Sequence, residues 1–282
     1  EPPRRLAVLG GGPIGAEMAQ TFARLGSMVT LIENKGQLLS REDADAAQIV
    51  QQAFVDDGVE LIFNATVKAP KRTATGKVVE FEREGQRAQV EVDEILVSIG
   101  RAPTVEGLGL EAAGVVYSDQ GVTVDDTLRT SNPNIYAAGD VASRYQFTHI
   151  ADATARIVLQ NALFPGPKRK ASDLIVPWTT FTDPEVAHVG MYAHEAEAKG
   201  IQVETFTQPL SHVDRARADG ETDGFVKLHV KAGSDKILGA TLVAAHAGDM
   251  ISEITTAMAG GVGLAKLVNV IHPYPTQAEA IW

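Results

Sequence analysis

Apolar and polar positions fall first into a strand–helix–strand rhythm. Residues 4–9 (RRLAVL) are a short apolar run, residues 13–25 carry helix-forming side chains, and residues 28–33 (MVTLIE) are apolar again, which predicts a βαβ unit. Residues 43–57 (DADAAQIVQQAFVDD) place apolar side chains at helical spacing and stop before Gly58, a residue suited to a helix C-terminus. Residues 59–63 resume as a strand. Alternation around Gly76 and Gly85 over residues 66–92 predicts an antiparallel excursion of two or three strands. Residues 95–99 (ILVSI) then read as a continuous buried strand.

After Gly114 the texture changes. Residues 122–125 and 134–140 read as short strands, and residues 148–163 as a helix. The stretch FPGPKRK at 164–170 is the clearest linker in the chain. Beyond it, residues 175–181, 201–207, 225–230 and 237–244 read as strands, with helical stretches near 193–199, 249–259 and 264–270. This second half is α+β and not a further βαβ repeat.

Composition narrows the function classes. A chain of 282 residues with 44% hydrophobic content has room for two or three domains. No apolar run approaches the roughly 20 residues that span a bilayer. The net charge of −11 argues against nucleic-acid or anionic-membrane partners, which reward basic patches. The absence of cysteine excludes disulfides, thiolate metal sites and cysteine nucleophiles within these residues, and fits a cytoplasmic protein. The histidines His149, His188, His194, His212, His229 and His246 show no metal-ligand spacing, so no metal site is expected.

The chemistry concentrates in two glycine motifs. Gly10, Gly12 and Gly15 of GGGPIG fit GxGxxG, with Pro13 and Ile14 inside the loop. The loop follows a predicted strand, opens a predicted helix, and has Glu33 at the end of the next strand. Glycine permits the tight turn and the close approach of backbone to a pyrophosphate, while the helix N-terminus offers unpaired N–H groups. A carboxylate at Glu33 can accept hydrogen bonds from ribose hydroxyls and repels a 2′-phosphate, which favours NAD over NADP. Lys35 and Arg41 lie just downstream and could serve a phosphate. The second motif is IYAAGD at 135–140. Its terminal Gly139-Asp140 places a carboxylate where it can accept from sugar-alcohol hydroxyls; the plainer reading is a turn cap.

With both motifs in place, the chain resembles the class I pyridine nucleotide–disulfide oxidoreductases. GGGPIGAE resembles the opening of that family's NAD(P) domain. The passage ILVSIGRAPTVEGLGLEAAGV, which contains Gly100, resembles its close. TSNPNIYAAGDV is similar to the second flavin motif, and PWTTFTDPEVAHVG and HPYPTQAE to the two ends of the dimerisation domain. The REDADA and FTHIADATARIVLQNALF stretches look most like the mercuric-reductase-like branch. The resemblance implies an α/β fold: a Rossmann-like NAD(P)-binding domain over residues 1–114, a remnant of an FAD-binding domain over 115–170, and an α+β dimerisation domain over 171–282.

The resemblance also implies FAD and NAD(P)H as cofactors, with Gly100, Gly139 and Asp140 among the cofactor contacts and Asp140 on the flavin ribityl chain. Glu17 becomes the carboxylate that pairs near the flavin with a lysine of a preceding segment; as a bare residue it reads as a solvated helix side chain. Pro13 departs from the aromatic that many members use to cover the flavin. The flavin's phosphate cradle and a redox-active CxxxxC pair are expected before Glu1, so this chain alone is expected to bind FAD weakly or not at all.

The family's closing motif supplies a His followed five positions later by a Glu. Here Tyr274 stands at the His position, with Glu279 kept and His272 two residues earlier. A phenol with pKa near 10 is a poor base at neutral pH. The Tyr therefore counts against efficient dihydrolipoamide oxidation and suits members that carry Tyr there. His272 could substitute; its apolar neighbours suit a structural His. The expected activity is an FAD-dependent NAD(P)H oxidoreductase working as a homodimer on a disulfide or Hg(II). A soluble transhydrogenase without redox cysteines, or an inert NAD-binding and dimerising fragment, are the alternatives.

Overall fold

Period-two alternation along the first strands decides what each face of the first sheet packs against. In the computed structural model, which describes residues 1–282, β1 (Arg5–Leu9), α1 (Pro13–Arg24), β2 (Met28–Ile32), α2 (Ala44–Asp56) and β3 (Glu60–Ile62) follow in order. An excursion of β4 (Ala65–Val67), β5 (Lys71–Arg72), β6 (Lys77–Arg83) and β7 (Gln86–Val92) precedes β8 (Glu94–Val97). The first sheet is parallel in the order β3-β2-β1-β8, with Leu6 opposite Val29 and Val8 opposite Leu31. Leu6 and Val8 turn toward α1 and α2, into a core with Ala16, Ala19, Val50 and Phe54. Ala7, Leu9 and Ile32 turn the other way, onto Val79, Phe81 and Val92 of the excursion.

Two expectations are corrected here. The excursion is a four-stranded antiparallel sheet instead of two or three strands, because residues 65–67 and 71–72 both pair with β6. The ILVSI strand is not continuously buried: β8 is the edge of its sheet, and Val97 and Ile99 stand exposed. α2 ends as its composition implies, with Gly58 in the left-handed region at φ +80 and the N–H of Val59 returning to Phe54 O.

The chain divides into two compact units, Glu1–Gly100 with Pro177–Trp282, and Arg101–Val176. The smaller unit holds β9 (Tyr117–Ser118), β10 (Gly121–Val122) and α3 (Thr148–Leu163). Residues 134–140 do not form the expected strand. Their backbone folds onto the preceding turn, with Thr130 N–H on Ile135 O and Ala137 N–H on Leu128 O, and Gly139–Val141 is a single 3-10 turn.

In the larger unit, β11 (Pro177–Thr180), β12 (Glu185–Gly190), α4 (Ala193–Ala198), β13 (Val203–Pro209), α5 (Asp214–Asp219), β14 (Phe225–Lys231), β15 (Ile237–Ala244), α6 (Ala247–Ala259) and α7 (Leu264–Leu267) complete the chain. The five strands form one antiparallel sheet in the order β11-β12-β15-β14-β13. The sequence pattern misses β12, whose EVAHVG run follows Asp183-Pro184, and α5, a single charged turn and a half. α6 buries Met250, Ile251, Ile254 and Ala257, the helical spacing of one apolar face, against β11, β12 and β15. Val186, Phe225 and Val243 extend the core of the first sheet.

Candidate functional site

The turn from β1 to α1 can be built only with glycine at two places. Gly10 lies at φ +102, and a Cβ there would sit 2.5 Å from Ser98 O. At Gly15 a Cβ would sit 1.9 Å from Gly10 O, so the helix passes directly against the loop. Ser98 braces this approach from below, its hydroxyl 2.8 Å from Leu9 O and 3.0 Å from Gly10 O. Gly12, by contrast, would meet nothing within 4 Å and faces open space. Gly12 offers α1 no side-chain cap, Pro13 brings no N–H, and no acidic side chain stands in the first turn. The first-turn N–H groups of Ile14 and Gly15 therefore have neither an intrahelical acceptor nor a competing carboxylate. This end of α1 suits an anion.

Glu33 is drawn onto the same loop. Its Oε2 accepts the Gly11 N–H at 2.5 Å and its Oε1 accepts the Lys35 N–H at 2.8 Å. Each oxygen keeps a lone pair for a further donor. A cradle that excludes side chains and a fixed carboxylate beside it fit the pyrophosphate and ribose of a nicotinamide dinucleotide. Gly100, at φ +129, follows β8 with open space where a side chain would be. Ile14 is half-exposed at the loop.

Glu17 on α1 accepts the backbone N–H of Phe181 at 2.9 Å, which ties the helix to the end of β11. Tyr274 is 69% exposed, precedes a cis Pro275, and donates its hydroxyl to Asp214 at 3.1 Å. That bond, and the Asp214 charge behind it, hold the phenol above its ordinary value. Glu279 has a buried Oε2 with no hydrogen-bond partner, as does Gln277 at its Oε1. His272 turns to α6: its Nε2 lies 2.8 Å from Glu253 and its Nδ1 3.1 Å from Val270 O. Both ring nitrogens are thereby occupied, and no hydrogen bond joins His272 to Tyr274 or Glu279.

In the smaller unit, Asp140 stands 3.0 Å from Arg101 in a partly exposed ion pair. Gly139, at φ +76, donates its N–H to Thr154 Oγ1 at 3.0 Å, which seats the turn on α3. Its Cβ would meet Ala151 at 3.2 Å. Asp140 keeps one unpaired carboxylate oxygen, and α3 begins at Thr148 with no side-chain cap. These fit the ribityl end of a flavin. The unit carries no glycine-rich cradle for its phosphates.

Sequence reasoning missed Ser98, although a hydroxyl interrupting the apolar ILVSI run is a visible signal. It also missed Glu42, 9% exposed, whose carboxylate binds Trp178 and Tyr192. No local signal could have found contacts 136 and 150 residues away.

A family model described as pyridine nucleotide-disulphide oxidoreductase matches residues 1–155, and the dimerisation domain of that family matches residues 176–282. The chain is 38% identical over 282 residues to a mercuric reductase of Staphylococcus aureus, covering 100% of this chain and 51% of the relative. It is 34% identical over 280 residues to a dihydrolipoyl dehydrogenase of Geobacillus stearothermophilus, covering 99% of this chain and 59% of the relative. The HOCl-induced flavoprotein disulfide reductase RclA from Escherichia coli superimposes with a TM-score of 0.90 at 34% identity, over 100% of this chain and 64% of that one. The chain thus spans about half to three-fifths of the length of these curated relatives.

Proposed function

The chain belongs to the pyridine nucleotide–disulphide oxidoreductase family, and from that premise we propose that it is the nicotinamide-binding and dimerising part of an FAD-dependent NAD(P)H oxidoreductase. The observation that carries this reading is the α1 cradle with Glu33 fixed beside it. Gly10, Gly12 and Gly15 let the pyrophosphate approach the backbone, and the N–H groups of Ile14 and Gly15 bind it. Glu33 accepts the ribose hydroxyls and favours NAD over NADP. Gly100 lies beside the dinucleotide. We read residues 1–114, 115–170 and 171–282 as the NAD(P), flavin and dimerisation segments.

FAD, when bound, supplies a two-electron relay between nicotinamide and acceptor. This chain's part is to hold its ribityl chain with Asp140 and to keep Gly139 clear of side-chain bulk. The dimerisation segment makes the working unit a homodimer, with Tyr274 and Glu279 reaching the acceptor. No helix is long and apolar enough to cross a membrane.

For the acceptor, Hg(II) is favoured over a dithiol or disulfide. Tyr274 donates to Asp214 and is held above its ordinary pKa, so it stays protonated at neutral pH and cannot act as the base a thiol requires. It can still present its oxygen to a metal ion. The balance is simple: NADH gives two electrons and becomes NAD⁺ and a proton, and Hg(II) becomes Hg(0). The test is NADH oxidation by the full-length, FAD-loaded protein with Hg(II), lipoamide or NADP⁺ as acceptor. Turnover is expected with Hg(II). Faster turnover with lipoamide overturns the assignment of acceptor, and turnover with NADP⁺ alone establishes a transhydrogenase.

A further inference from the structure

The loop that runs from Glu33 to the start of α2 contains an acid where an apolar residue would close the core at less cost. Leu38 and Leu39 of this loop are buried, and Leu39 adopts φ +48, a region that branched-chain residues enter only under constraint. Two sets of contacts supply the constraint. On one side, the Leu39 N–H donates to Gly11 O at 2.8 Å, joining the loop to the dinucleotide cradle. On the other, the Glu42 N–H donates to Leu39 O at 2.7 Å, and the Glu42 side chain leaves the first sheet altogether.

That side chain enters the dimerisation sheet. Its Oε1 accepts the Trp178 indole N–H at 2.8 Å, from β11, and its Oε2 accepts the Tyr192 hydroxyl at 2.7 Å, from the cap of α4. Tyr192 is itself fixed, its ring stacked 3.7 Å from His188. Both carboxylate oxygens of Glu42 are thereby engaged in one geometry, and burial holds its carboxyl above the ordinary value although the two donors pull it down. A second tie lies one residue on. Lys227 of β14 reaches Asp43 at 3.0 Å and Asp45 at 2.7 Å, at the first turn of α2.

The consequence falls on Glu33. Both hydrogen bonds that orient its carboxylate come from this assembly, one from Gly11 and one from Lys35 within the loop. We infer that Glu42, clasped by Trp178 and Tyr192, is a positioning residue: it holds the Asn34–Asp43 loop so that Glu33 meets the ribose hydroxyls of the nicotinamide dinucleotide. The inference rests on the nicotinamide reading above. It makes affinity for NADH depend on side chains of the dimerisation sheet that touch no part of the dinucleotide.

The test is a double-mutant cycle on the purified chain, with NADH and NADPH binding followed by nucleotide fluorescence at a temperature where circular dichroism shows each variant folded. Tyr192→Phe removes one donor to Glu42 and no volume from the core, and should weaken NADH binding about fivefold, the effect of one lost hydrogen bond. Glu33→Gln should weaken it by about twentyfold, and the double variant should match Glu33→Gln alone, because the clasp acts through Glu33. A merely structural clasp lowers the melting temperature and leaves the dissociation constant alone. The inference is overturned if Tyr192→Phe binds NADH within twofold of the unaltered chain, or if the two effects multiply. Should Tyr192→Phe fail to fold, Trp178→Phe takes its place in the same cycle with the same expectation. An unaltered chain that binds neither NADH nor NADPH overturns the nicotinamide reading itself, an outcome distinct from a silent clasp.

Discussion

The α1 cradle and the C-terminal turn lie in the same compact unit, yet they differ in how far one chain completes them. Around the cradle, the polar groups that shape the loop have partners: Ser98 on two carbonyls, Glu33 on two N–H groups, Gly11 on Leu39. What stays open is the first turn of α1, the part an anion would fill. Around the turn, Glu279 and Gln277 each keep a buried oxygen without a donor, while Tyr274, Ile271 and Trp282 face outward, Ile271 at 95% exposure. Buried acceptors are rarely left unpaired, and large apolar side chains are rarely exposed in a group. The difference teaches that a cradle assembled from one βαβ unit is finished locally, whereas the C-terminal turn keeps buried acceptors and large apolar side chains that nothing in this chain pairs or covers.

The comparison breaks most sharply at Gly15. Gly15→Ala drives a Cβ into Gly10 O and should weaken NADH binding by on the order of a hundredfold, measured by fluorescence titration, while Tyr274 keeps its bond to Asp214. If Gly15→Ala binds NADH normally, the cradle is not where the dinucleotide sits.

Acid should reach the supporting sheet next. His188 is buried with Nδ1 against Thr241 and Nε2 against Gly190 O, which satisfies the neutral ring, and burial lowers its pKa from 6.5 to about 4. A base whose folded pKa is depressed contributes its stability in full above the unfolded value. That stability is lost as pH falls from about 6.5 toward 4, when only the unfolded chain takes up the proton. The loss should approach about 3 kcal/mol, read from denaturant midpoints at pH 7 and pH 4.5. His188→Asn should flatten that part of the profile. A wild-type profile equally flat over this window would place the charge change elsewhere.

The smallest effect is expected at the turn. Tyr274→Phe removes an exposed hydroxyl and should shift stability by less than about 0.5 kcal/mol, with NADH affinity within twofold. In the full-length dimer it should still slow acceptor reduction by about tenfold. A loss of NADH affinity in Tyr274→Phe would erase the division between the two regions.

The legibility of the sequence follows the same line. The βαβ unit, the glycine loop and Glu33 could be read because their physics is local: strand, turn and helix lie within 33 residues, and Gly10 and Gly15 each answer a nearby backbone atom. α3 and β15 begin and end where their patterns indicate. Residues 134–140 misled because an apolar run becomes a strand only with a neighbour to pair, and this one folds onto its own turn. β8 misled because its ILVSI run says nothing about which strand lies at an edge. Glu42, Trp178, Tyr192 and Lys227 were illegible for a different reason: their partners come from across the larger unit, and a lone acid in a loop reads as solvated.

The most direct measurement of the central claim, that this chain holds a finished nicotinamide site, is a titration of the purified chain with NADH and NADPH. One NADH should bind per chain, saturably and more tightly than NADPH, whose 2′-phosphate the Glu33 carboxylate would repel. No binding of either, or tighter binding of NADPH, would contradict it.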